Sequence, residues 1–195
     1  MSVTTLKRTR PMKTIKMSVG AVCVFCMVLG SGCVAEPGPK ASAEKVRVGT
    51  YDSRAVVIAF AGTETFSNQQ KILHAEYDKA RAAGDKKRMA ELEAQGMEQQ
   101  KLLHKQGFST APVDDVLTNI KDRLPEIAKT AGVEVIISKW DSAALARYKS
   151  AELVDVTMLL VDALKPNERA RRSAVEIQTQ KPIPLQQADK MSVND

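Results

Sequence analysis

The sequence predicts a helix-rich α+β fold, a small β-sheet body with a projecting antiparallel helical hairpin. Three stretches carry that expectation. In residues 112–138, PVDDVLTNIKDRLPEIAKTAGVEVIIS, the apolar positions Val113, Val116, Leu117, Ile120, Leu124, Ile127, Ala128 and Ala131 recur at helical spacing. Gly132 then stops that helix, and Val133, Val135, Ile136 and Ile137 make a β-branched strand. In KVRVGTYD, residues 45–52, Val46, Val48 and Thr50 alternate with Arg47 and Gly49, the pattern of a half-buried strand. Residues 64–106 are long, polar and helix-forming, and are broken only near Ala83-Gly84-Asp85.

In chain order, residues 1–32 read as an export signal. Lys7, Arg8, Arg10, Lys13 and Lys16 precede the apolar run SVGAVCVFCMVLG without an intervening acid. A retained membrane anchor is the competing reading, although the apolar run is only marginally long enough to span a bilayer. Leu29-Gly30-Ser31-Gly32-Cys33 resembles a bacterial lipobox, with Cys33 as the residue to be lipidated. Gly30 stands where a branched apolar residue is usual, and ordinary cleavage after Ala35 is the alternative. Lipidation at Cys33 is the working expectation. It places the protein outside the cytoplasm, anchored to the cell envelope, at the outer membrane if the cell is Gram-negative.

The charge balance follows from that assignment. Five of the 29 Lys and Arg precede Cys33 and all 23 acids follow it, so 24 bases face 23 acids in the exported chain. The high isoelectric point belongs largely to the signal and is no argument for a nucleic-acid partner. All three cysteines, Cys23, Cys26 and Cys33, lie in this same segment, which excludes disulfides and cysteine chemistry from the body.

Residues 33–44, containing two prolines and few large apolar groups, read as a flexible tether, and residues 45–165 as the folded domain. After the first strand, Asp52 and Ser53 can cap a short helix, SRAVVIAFA. The hairpin of residues 64–106 carries two thin apolar stripes, Phe66, Leu73, Tyr77 and Ala80 on one arm and Met89, Leu92, Gly96 and Leu103 on the other. Arms of about 20 residues would extend about 30 Å. Pro125 removes one hydrogen bond from the following helix and predicts a kink near Asp122. Residues 139–153 read as a polar excursion, Asp155-Val156-Thr157 as the cap of a last body helix, and residues 166–195 as a tail, with one exposed helix and an extended end. The expected core is Val46, Val48, Val116, Leu117, Ile120, Ile127, Val135, Ile137 and Leu160. Two short strands make a marginal sheet, so strands of other chains are expected to complete it.

The candidate binding residues are the stripes Phe66, Leu73, Tyr77, Met89, Leu92 and Leu103 with the basic tip Arg81, Lys86, Lys87 and Arg88. The same tip residues also suit an ordinary solvated turn. His74 and His104 would not meet across a turn centred on Gly84, so no metal site is expected from them. Asp114 and Asp115 suit the first turn of a helix, Phe108 suits a plug into the body, and Trp140-Asp141 suits a core residue followed by a cap. No phosphate loop, Ser–His–Asp set or metal-spaced carboxylate pattern stands out, so neither catalytic residues nor a cofactor are assigned.

The order of parts resembles the Skp/OmpH family of periplasmic chaperones. The residues that carry the resemblance are Val46-Arg47-Val48-Gly49-Thr50-Tyr51-Asp52-Ser53-Arg54, Ala131-Gly132-Val133-Glu134-Val135-Ile136-Ile137 and Val154-Asp155-Val156-Thr157. It covers residues 46–164, with the hairpin similar in type only. The resemblance implies a homotrimer whose hairpins hold unfolded outer-membrane proteins. The arms are shorter than the family's, and residues 107–115 have no counterpart in its pattern. The expected activity is binding of unfolded or partner proteins through the hairpin, chaperone-like. The alternative is a structural or interaction subunit of an envelope complex.

Overall fold

A computed structural model describes residues 45–191. The expected signal, the Cys33 lipidation site, the whole tether and the last four residues lie outside the described residues. Strand β1 (Arg47–Tyr51) leads through Asp52 into α1 (Ser53–Ala61). Asp52 takes the capping position, its carboxylate accepting the Arg54 N–H at 3.0 Å. Helix α1 buries residues on every side, Ala55, Val56, Val57, Ala59 and Phe60 among them, and therefore sits inside the body rather than on its surface.

Two long helices follow, α2 (Glu64–Ala82) and α3 (Lys86–Phe108). Thr63 caps the first by accepting the Phe66 N–H, and Asp85 caps the second by accepting the Arg88 N–H. The chain returns through α4 (Asp114–Leu117), a 3₁₀ stretch (Thr118–Arg123) and α5 (Leu124–Ala131). The helix expected to run through this region is thus interrupted. Its backbone leaves helical geometry at Ile120 (φ −125°, ψ 16°), two residues before the kink expected from Pro125. Pro125 itself lies in the first turn of α5, where a missing N–H costs least. Gly132 ends α5 in the left-handed region, φ 64°, where a Cβ would be strained.

Strand β2 (Val135–Ser138), α6 (Ser142–Leu145), strand β3 (Glu152–Asp155), α7 (Thr157–Leu164), α8 (Glu168–Glu176) and α9 (Leu185–Ala188) complete the order. Among the described residues the sheet has three parallel strands in the order β2-β1-β3. Strand β3 corrects the sequence reading, which left residues 152 and 153 in a polar excursion. Its register sets Val48 beside Leu153 and Gly49 beside Val154, so the chain supplies the third strand that other chains were expected to bring.

Gly49, Ile136 and Val154 share one row, and Ile136 and Val154 pack against the main helical core. A Cβ at Gly49 would stand 3.1 Å from Val133 and 3.3 Å from both Ile136 and Val156, which explains a glycine at the sheet's centre. Of the expected core residues, Val48, Val116, Ile120, Ile127, Ile137 and Leu160 are buried. Leu117 and Val135 are half-buried, and Val46 is 39% exposed because it precedes the sheet. The C-terminal region is another correction. Helix α8 packs on α1 and buries Ala174 and Ile177 in the core, and Ser109 Oγ donates to Ile183 O at 2.7 Å while the Ile183 N–H donates to Phe108 O at 3.0 Å.

Candidate functional site

Two regions contain side chains whose chemistry the fold does not fully use. The first is the pair α2 and α3. Gln70 meets Gln99 at 3.0 Å, the Tyr77 hydroxyl donates to Glu93 at 2.8 Å, and Arg88 pairs with Glu76, so residue numbers fall along one helix as they rise along the other. The stripes face each other. Leu92 is buried, Leu73 approaches Gly96, and Phe66 packs edge-on to Phe60 with ring centroids 5.4 Å apart. Tyr77, Met89 and Leu103 are half-buried, and Leu103 touches the body core. Of the six apolar residues singled out for binding, Leu73 packs toward α3, Leu92 is buried, and Phe66 and Leu103 pack against the body core.

The exposed apolar side chains lie elsewhere. Ile72 is 61% exposed, Met97 54% and Leu102 43%. Ile72 borders a groove with Gln95 and Gln99, and Leu102 borders a second groove that shares those two glutamines. Ile72 and Leu102 therefore look out from the same side. Sequence reasoning missed both because it sought the seam; counting one step off each stripe would have found them. At the far end Arg81 pairs with Asp78, and Arg88 with Glu76 and Glu91, whereas Lys79, Lys86 and Lys87 form no ion pair among the described residues. Phe108, expected as a plug, is exposed and lies against His104, with centroids 5.6 Å apart. His74 and His104 do not meet, and no metal-holding group of His, Cys, Asp or Glu occurs among the described residues.

The second region is formed where the parallel strands end. Such strands all point their carboxyl ends one way, so the segments after β1, β2 and β3 converge. Asp52, fully buried, accepts two hydrogen bonds from Arg54, Nε to Oδ1 at 3.1 Å and a terminal nitrogen to Oδ2 at 2.8 Å, and an ion pair from Lys139 Nζ at 2.6 Å. The Asp52 N–H donates to Thr157 Oγ1 at 3.0 Å, which ties the ends of β1 and β3 together. Arg54 also donates to Gln180 O at 3.0 Å. Both cations lie over the Trp140 indole, at 5.2 Å for Arg54 and 4.7 Å for Lys139. Burial raises the Asp52 pKa, but the hydrogen bonds and charges of Arg54 and Lys139 outweigh it and hold the carboxyl below its usual range.

Compared with protein-family models, curated proteins and solved structures, the chain matches none. Its chemistry is therefore argued from these residues alone.

Beside this ionic group opens a cavity of about 390 Å³. Val113, Ile136 and Ile137 give it apolar walls; Tyr51, Ser138, Trp140, Asp114 and Asp141 give it polar ones. The segment after α3 supplies one side through Thr110, Pro112 and Val113, and Gln106 holds that segment by donating to Pro112 O at 2.9 Å and Asp115 Oδ1 at 2.8 Å. Asp141 caps α6 by accepting the Ala144 N–H at 2.8 Å, as its position suggests. Trp140 is half-buried and lines the cavity rather than filling the core. Burial, and then the charges of Asp114 and Asp141, push the Tyr51 phenol up to about 12, so it remains a hydrogen-bond donor.

Proposed function

We propose that the chain is an extracytoplasmic, membrane-tethered binding protein of Skp/OmpH type that holds unfolded or partner proteins on a projecting antiparallel hairpin, α2 and α3. One observation carries this reading: Ile72 and Leu102 stand uncovered beside grooves that share Gln95 and Gln99, and Met97 on α3 is exposed as well. Apolar groups spaced along a polar helix pair suit weak, adaptable contacts with an extended apolar client. The glutamines between them can hydrogen-bond a client's backbone. The three unpaired lysines at the tip add attraction to acidic clients. No catalytic step is assigned.

The assembly proposed is a homotrimer. Two exposed apolar groups at the sheet support it: Leu153 on the edge strand is 57% exposed, and Val46, just before β1, is 39% exposed. The tether would begin at a lipidated Cys33. No helix among the described residues is long and apolar enough to cross a membrane.

The test places a photo-crosslinking side chain at position 72 or 102, with position 129 on α5 as the control. Products with several unrelated unfolded proteins are expected at 72 and 102 but not at 129. A single folded partner would instead make the protein a structural subunit, and equal labelling at all three positions would overturn the hairpin as the binding element. Intact mass of envelope-extracted protein should show a diacyl or triacyl adduct on Cys33, and a chain beginning at Glu36 would refute the tether. Light scattering that gives a monomer at micromolar concentration would refute the trimer.

A further inference from the structure

The cavity at the strand ends is independent of the hairpin reading and carries its own chemistry. Its two carboxylates, Asp114 and Asp141, form no ion pair among the described residues. Asp141 uses Oδ1 to cap α6, which leaves Oδ2 for another partner. The nearby cations cannot serve them: Arg54 is 1% exposed and bound to Asp52 and Gln180, and Lys139 is bound to the same Asp52. Meanwhile Tyr51, 7% exposed, lines the cavity and its hydroxyl makes no hydrogen bond among the described residues. The site thus has negative charge, a spare donor and apolar walls, in a volume within the ordinary range for small ligands.

We propose that this cavity binds a small organic ammonium compound that also carries a hydrogen-bond acceptor, of the kind exemplified by an amino-acid amide. Asp114 and Asp141 take the ammonium group, the Tyr51 hydroxyl donates to the acceptor, and Ile136, Ile137 and Val113 enclose the apolar part. Burial and the two acids keep that hydroxyl protonated. An anion would meet the two carboxylates without compensation. A metal ion would lack a third ligand of the usual kind among the described residues.

The chain has one tryptophan, so intrinsic fluorescence reports on this cavity alone. Leucinamide is expected to change the Trp140 emission saturably, with one molecule bound per chain by calorimetry. N-acetyl-leucinamide, which keeps the carbonyl and loses the charge, should bind at least about tenfold more weakly. Asp114→Asn and Asp141→Asn should each weaken leucinamide by about tenfold, and the asparagine at 141 preserves the cap on α6. A protein of unchanged circular dichroism whose emission does not respond to leucinamide would overturn the proposal. Equal binding of the acetylated compound, or unchanged binding by the folded double variant, would overturn it as well. None of these outcomes bears on crosslinking at positions 72 and 102, so the two readings fail separately.

Discussion

Replacing Arg54 by alanine tests how the body is held together. Arg54 is almost wholly buried and makes three charge-assisted hydrogen bonds to Asp52, two from the guanidinium and one from its own N–H, plus a fourth contact to Gln180 O. The variant keeps the backbone bond and loses the guanidinium. Breaking a buried pair by removing one partner costs about 3–5 kcal/mol, because the remaining charge stays buried. Lys139 still neutralises part of Asp52, which sets the expected loss near the lower bound, about 3 kcal/mol. With a urea dependence of about 1–3 kcal/mol per molar, the midpoint should fall by roughly 1–3 M. The lost Gln180 contact adds a local signature: amide hydrogen exchange around Gln180 should quicken more than global unfolding accounts for. The partner variant Asp52→Asn closes a double-mutant cycle, and a coupling of about 2 kcal/mol or more is expected. A loss under about 1 kcal/mol, or additive single effects, would refute the view that this ion group is a central fastening.

Three further outcomes are expected. Gly62→Ala should destabilise by about 1–3 kcal/mol in urea melts, since the added carbon would fall 2.1 Å from Ala170 Cβ and force α8 from α1. Leu160→Ala, at a fully buried site, should cost about 2–5 kcal/mol in the same assay, and the exposed Leu153→Ala under about 1 kcal/mol in a monomer. Because the folded Asp52 carboxyl titrates below its ordinary 3.8, its contribution is complete above that pH and is lost as pH falls through the lower folded value. Stability measured across that acid range should therefore fall less steeply in Asp52→Asn than in the parent.

Much of the fold was legible because local signals agreed with tertiary need. Gly132 between an amphipathic helix and a β-branched run predicted the α5–β2 junction, and Asp52 predicted the cap of α1. Strand β3 was not legible: in Glu152-Leu153-Val154-Asp155 only Val154 turns into the core, so no alternating pattern emerges. The helix α8 misled for a related reason. Its run of Glu and Arg advertises solvent, while two small residues, Ala170 and Ala174, pack against the body. Phe108 was expected inward, with an exposed contact as the alternative, and as the last residue of α3 it stands exposed beside His104. The strand-end cavity was invisible for a topological reason. Tyr51, Asp114, Trp140 and Asp141 come together only once three parallel strands are aligned, and each alone fits a local role.

The position of β1 at the centre of the sheet has a consequence for when the fold can form. Val48 needs Val135 on one side and Leu153 on the other, so 135 − 48 = 87 positions separate it from one partner and 153 − 48 = 105 from the other. Closing loops of that length precedes any gain from pairing, and topologies dominated by such distant contacts fold slowly. The α2–α3 pair, whose contacts are local, can assemble and dissolve many times before the sheet closes. A ribosome would therefore release nearly the whole domain before its nucleus could condense.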